Sequence, residues 1–149
     1  MLTTEQIAQF ERDGFVKGGR VLDAAQVELL QRETLRVIEE QDGAGPRPIQ
    51  LINLTGNGEA PVWQIVDIYL ASEPFAELVH NAQIAQEIAQ LLRSESVRLW
   101  HDQIQYKPAQ TGGVNPWHQD SPLWPPLTPK DRQITAWVAL DDVDEENGC

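Results

Sequence analysis

The spacing of the apolar residues changes once along this chain, near Ser94, and that change limits the fold more than any other feature. Upstream, apolar side chains recur at helical intervals. Thr3 and Gln6 form a T-x-x-Q capping box, with Ile7 and Phe10 as the apolar side of a short helix that Gly14 ends. Asp23 and Gln26 repeat the cap. From Ala24 to about Gln41, Val27, Leu30, Thr34, Val37 and Ile38 fall near one helical face. Gly43, Gly45, Pro46 and Pro48 break that helix. Ser72 is expected to cap a helix through Phe75 and Val79. Asn81 is expected to cap another, with Ile84, Ile88, Leu91 and Leu92 facing inward. Short strands are expected at Phe15-Val16 and from Ile49 to Leu54, the latter followed by the turn Gly56-Asn57-Gly58.

Downstream of Ser94 the pattern alternates. From Val97 to Lys107, one face carries Val97, Leu99, His101, Gln103, Gln105 and Lys107, and the other Arg98, Trp100, Asp102, Ile104 and Tyr106. The loop Thr111-Gly112-Gly113 follows, then a proline-rich loop with Pro122, Pro125, Pro126 and Pro129. A second strand is expected from Ile134 to Leu140, then an acidic turn from Asp141 to Glu146. This order predicts a mainly β core with flanking helices, an α+β fold. The chain reads as one partial domain, with a helical layer over 1–95 and strands over 96–149.

At 149 residues and 41% hydrophobic content the chain has the makings of one hydrophobic core. Its net charge of −12 argues against nucleic acid or an anionic membrane as partner. No stretch approaches the roughly 20 apolar residues of a membrane span. The start, Met1-Leu2-Thr3-Thr4-Glu5-Gln6, lacks the basic and apolar regions of a signal peptide. A single cysteine, Cys149, excludes an internal disulfide and fits a cytoplasmic protein; that thiol is read as inert.

The chemistry concentrates in Pro116-Trp117-His118-Gln119-Asp120-Ser121. On a strand, residues i and i+2 project from one face, so His118 and Asp120 would present an imidazole and a carboxylate together. Those are two members of the 2-His-1-carboxylate triad that binds non-haem Fe(II) and leaves coordination positions open. The plain alternative is a hydrogen-bonded pair in a loop. Trp117 and Trp124 flank the motif and are expected to exclude water.

Four segments carry a resemblance. They are Gln103-Ile104-Gln105-Tyr106-Lys107-Pro108, Pro116 to Ser121, Thr135-Ala136-Trp137-Val138-Ala139-Leu140-Asp141-Asp142, and Glu146-Asn147-Gly148-Cys149. In order and spacing this set resembles the phytanoyl-CoA dioxygenase family of Fe(II)- and 2-oxoglutarate-dependent oxygenases. The resemblance implies a double-stranded β-helix (a cupin-like jelly roll) and a hydroxylase acting on a small organic substrate with 2-oxoglutarate and O₂. It implies His118 and Asp120 as iron ligands. It places Gln103 and Trp137 at the 2-oxoglutarate site, with Gln64 near a further cosubstrate contact. Pro122 to Pro129 would lie near the substrate entrance. In related halogenating enzymes a small residue replaces the carboxylate, so Asp120 implies hydroxylation.

The family also uses a second histidine and an arginine, both beyond a Pro-Gly-Ser-His segment. No histidine follows His118 here, and Arg132 comes too early to match. The expectation is therefore a jelly roll incomplete at its C-terminus. The competing reading is an inactive fragment or a metal-binding or interaction module; a cupin-like metal binder with other chemistry is a third. His101 is a candidate third ligand or, more plainly, a structural histidine. His80 suits a helix end. Lys107 attracts an anion or snorkels. The acidic residues from Asp141 to Glu146 lack the glycine pattern of a calcium loop and read as a solvated turn. Trp63 and Trp100 are expected in the core.

Overall fold

A computed structural model of the protein describes residues 1–124 and 126–146. Pro125 of the proline-rich loop, and Asn147-Gly148-Cys149 with the thiol expected to be inert, lie outside the described residues. The fold is mixed: helices α1 (Thr4–Asp13), α2 (Ala24–Glu39), α3 (Glu73–Val79) and α4 (Ala82–Leu92), and strands β1 (Gln50–Asn53), β2 (Trp63–Val66) and β3 (Gln103–Tyr106). Among the described residues there are also 3₁₀ turns at Ile68–Leu70, Ser121–Leu123 and Lys130–Arg132. Helix outweighs strand among the described residues, against the expectation of a mainly β chain. No described helix is long and apolar enough to cross a membrane.

The chain divides into two compact units. One gathers 1–21, 81–98 and the described part of 116–138; the other gathers 22–80, 99–115 and the described part of 139–149. In the first, α1 opens on the expected box: Gln6 N–H donates to Thr3 Oγ1 and Thr3 N–H to Gln6 Oε1. Gly14 closes it in the left-handed region at φ 80°. Asn81 caps α4 by accepting from the N–H groups of Gln83 and Ile84. Ile84, Ile88, Leu91 and Leu92 are half-buried. Phe15 and Val16 form no strand, and Phe15 is exposed.

The second unit holds the main core. β1, β2 and β3 pair antiparallel in that order, so β2 is central. The register aligns Leu51, Ile65 and Ile104 across the sheet. That row packs with Leu30 and Val37 of α2, Ile68 and Phe75. Because side chains alternate along a strand, the next row, Ile52, Gln64 and Gln105, faces the other way. β2 was absent from the sequence expectations. Of the long strand expected over Val97 to Lys107, only Gln103–Tyr106 is paired, and Trp100 is half exposed instead of buried. The segment Ile134 to Leu140 alternates in sequence but pairs with no strand among the described residues. Leu140 alone of it reaches this core.

Ser72 departs from its expected role. Its hydroxyl donates to Glu33 Oε2 at 2.7 Å and makes no cap bond to α3. Arg36 joins this network, donating to Glu33 and to the Ala71 carbonyl. The guanidinium beside it holds the Glu33 carboxyl below its usual range. His80 caps the end of α3 as expected, its Nδ1 2.7 Å from the Ala76 carbonyl.

Asp102 is the strained charge of this unit. Burial pushes its carboxyl up to about 6, reinforced by the negative charge of Asp67 and opposed by the N–H groups of Tyr69 and Ile68. Its Oδ1 is buried without a partner.

Two predictions follow from this core. Phe75 is 1% exposed, so Phe75→Ala should lower unfolding free energy by about 3–5 kcal/mol in urea titrations. Asp102 titrates near 6 when folded and near 3.8 when free, so the folded state holds an extra proton between those values. Stability should therefore rise as pH falls from 7 toward 4. Asp102→Asn should flatten that rise and stabilise the protein at pH 7 by about 1 kcal/mol, after allowance for solvent screening.

Candidate functional site

His118 and Asp120 do converge, but not on a strand. Residues 114–119 have no regular structure, and Asp120 lies in the helical region (φ −69°, ψ −42°) as the residue that starts the Ser121–Leu123 turn. The backbone bend, and not the pleat, brings the two side chains together. His118 Nε2 stands 3.4 Å from Asp120 Oδ1, and both side chains are a little under half exposed.

The imidazole tautomer follows from its other partner. His118 Nδ1 lies 2.9 Å from the Pro116 carbonyl oxygen. A carbonyl only accepts, so Nδ1 carries the proton and neutral His118 presents a lone pair at Nε2. That lone pair faces a carboxylate oxygen. Two acceptors at this distance repel unless a cation, a proton or a metal ion, lies with them. The arrangement of an imidazole fixed through Nδ1–H by a carbonyl is the usual outer-shell support of a metal-binding histidine. The 3.4 Å separation is near the roughly 3 Å expected of neighbouring ligands with bonds of about 2.1 Å. The donor pair thus fits a divalent metal.

It is a pair only. Among the described residues no group of three or more His, Cys, Asp or Glu side chains is gathered to hold a metal ion. His101, weighed as third ligand, belongs to the other unit and sits tilted against Trp100, ring centroids 6.1 Å apart. The flanking tryptophan does not shield the pair: Trp117 is fully exposed.

The expected cosubstrate residues fall in different units. Gln64 and Gln103 are brought together across β2 and β3, Gln64 Nε2 donating to Gln103 Oε1 at 2.8 Å. This bond uses one N–H of Gln64 and the carbonyl of Gln103, leaving the Gln64 carbonyl and the Gln103 amino group to meet a ligand. Trp137 lies in the unit of His118, on no strand, and is 69% exposed.

Two polar features escaped sequence reasoning. Asn115 Nδ2 donates to Gln105 Oε1 at 2.8 Å, extending the amide face of the sheet. Gly113 donates its N–H to the Pro61 carbonyl, and a Cβ there would meet the Ala60 carbonyl at 2.7 Å and Thr55 Cγ2 at 2.8 Å. The Thr111-Gly112-Gly113 run was a visible signal of a close approach, but its target was not.

The chain is similar to ectoine dioxygenase of Sphingopyxis alaskensis, 24% identical over 99% of this chain and 47% of the relative. The same enzyme of Bordetella bronchiseptica is 29% identical over 99% of this chain and 47% of its own length. That of Halomonas elongata is 25% identical over 99% and 43%. The chain spans about half the length of the curated relatives it matches. No solved structure matches it. The sequence profile of one family, phytanoyl-CoA dioxygenase (PhyH), matches residues 10–149, and the chain belongs to that family.

Proposed function

We propose that this chain carries two of the three protein ligands of a non-haem Fe(II)- and 2-oxoglutarate-dependent dioxygenase that hydroxylates a small organic substrate. The observation that carries the reading is the facing of His118 Nε2 and Asp120 Oδ1, with Nδ1 held by the Pro116 carbonyl. His118 would bind the metal through Nε2, and Pro116 would keep that lone pair directed. Asp120 would supply the carboxylate and leave no place on the metal for a halide, which favours hydroxylation. Gln103, Gln64 and Trp137 would contact 2-oxoglutarate. When bound, Fe(II) supplies the means to reduce O₂ at the expense of 2-oxoglutarate, which leaves as succinate and CO₂ while the substrate gains a hydroxyl.

A third protein ligand and a cation for the far carboxylate of 2-oxoglutarate would come from outside residues 1–149. In this reading β1 to β3 belong to a double-stranded β-helix; β1 and β2 lie within residues 1–95, so those residues would supply strands as well as the helical layer. A cytoplasmic setting is part of the proposal and rests on the single cysteine. The relatives named ectoine dioxygenase make ectoine the first substrate to test.

A second reading has its own support. With no three-ligand group among the described residues, residues 1–149 alone would bind metal weakly and turn over little, as a metal-binding or interaction module.

The test is Fe(II)-dependent release of succinate from 2-oxoglutarate under air, with ectoine as first substrate. It is run on residues 1–149 and on a longer form if the reading frame continues past Cys149. His118→Ala should lower the longer form's activity by more than roughly 100-fold, beyond the loss expected for an outer-shell partner. Succinate release that His118→Ala leaves unchanged would sink the oxygenase reading. Tight stoichiometric iron in residues 1–149 would sink the two-ligand reading and require another ligand in this chain.

A further inference from the structure

We infer that Lys130 is a positioning residue for Asp120. Its ammonium donates to the Ser121 carbonyl at 3.0 Å and to the Trp124 carbonyl at 2.6 Å. Both carbonyls belong to the short turn that Asp120 begins. Leu123 N–H donates to Asp120 O at 2.8 Å, and Trp124 N–H to Ser121 O at 3.3 Å. A 3₁₀ turn of three residues holds few internal bonds of its own and is marginal in isolation. Carbonyls at the end of such a turn need partners, and a lysine there also meets the negative end of the peptide dipoles. The Ser121 carbonyl accepts from Trp124 N–H and the Trp124 carbonyl from Leu127 N–H at 3.2 Å; Lys130 adds the charged donor that links the two, ten positions after Asp120 and within the same compact unit.

The consequence reaches Asp120 through its backbone. The direction in which the Asp120 side chain leaves the backbone follows from its backbone dihedrals, which the Leu123 N–H to Asp120 O bond helps to hold. Without the ammonium, the turn loses its crosslink and Asp120 samples orientations that no longer face His118. Lys130 touches neither reactant nor metal in this account, so its effect is on how well the pair is arranged.

The inference rests on the proposed metal role of His118 and Asp120, and its test separates the two. In residues 1–149, Lys130→Met keeps the aliphatic stem and removes the ammonium. The Leu123 amide should then exchange with solvent about fivefold faster by NMR. Co(II) affinity, followed through the same spectra, should fall about fivefold. Lys130→Arg should restore both. His118→Ala marks the Co(II) affinity left without the pair. Unchanged Leu123 exchange in Lys130→Met overturns the clasp. Faster exchange with undiminished Co(II) binding, where His118→Ala does weaken it, overturns the positioning role while the metal pair stands. Co(II) binding indifferent to His118→Ala defeats the iron reading itself, and the positioning role falls with it.

Discussion

The larger unit depends on the alternation of side chains along one strand of four residues. β2 lies between β1 and β3, and its Ile65 is fully buried in line with Leu51 and Ile104. Helix α2 covers that row with Leu30 and Val37, and Phe75 closes it. Burying Ile65 forces Gln64 to the opposite face, where it meets Gln103. A slip of one residue would bury the glutamines and expose the isoleucine, so the core sets the register and the register creates the amide face. The polar face that the proposed cosubstrate role requires is thus a by-product of hydrophobic packing.

The other unit presents the opposite economy of structure. His118 and Asp120 are not backed by a sheet among the described residues. They face one another because a bend and a short turn aim them, with Pro116 and Leu123 contributing one hydrogen bond each and Lys130 two. Each such bond is worth about 1 kcal/mol. The proposed metal pair held this way rests its shape on a few exposed contacts. Fully exposed Trp117 beside it shows the same thing from the side of packing.

What was legible in the sequence followed the range of the interaction concerned. Thr3 with Gln6, Asp23 with Gln26, and Asn81 act on backbone groups two or three residues away, and all three start helices as expected. Ser72 looked equivalent, but its hydroxyl binds Glu33 on another helix, 39 residues distant. Ile134 to Leu140 has the alternation of a strand without a paired neighbour among the described residues. Alternation is necessary for a half-buried strand, but pairing needs a second segment at the right place. β2 shows the converse, since its short run became a central strand only because two neighbours flank it. Trp100 and Trp117 were expected inside or shielding the site from their apolar character alone; exposure depends on what packs against them.

By itself the sequence determined the donor chemistry: one imidazole and one carboxylate close along the chain, in a setting that resembles one family. It also determined the helix starts, because caps are local. The tertiary structure decided how those donors meet, through a bend where a pleat was expected. It decided that Gln64 and Gln103 share a hydrogen bond across 39 residues of chain. It also decided that Asp102 is desolvated beside Asp67 and so holds its proton to about pH 6. Each of these depends on distances and burial between residues far apart in sequence, which no local pattern encodes.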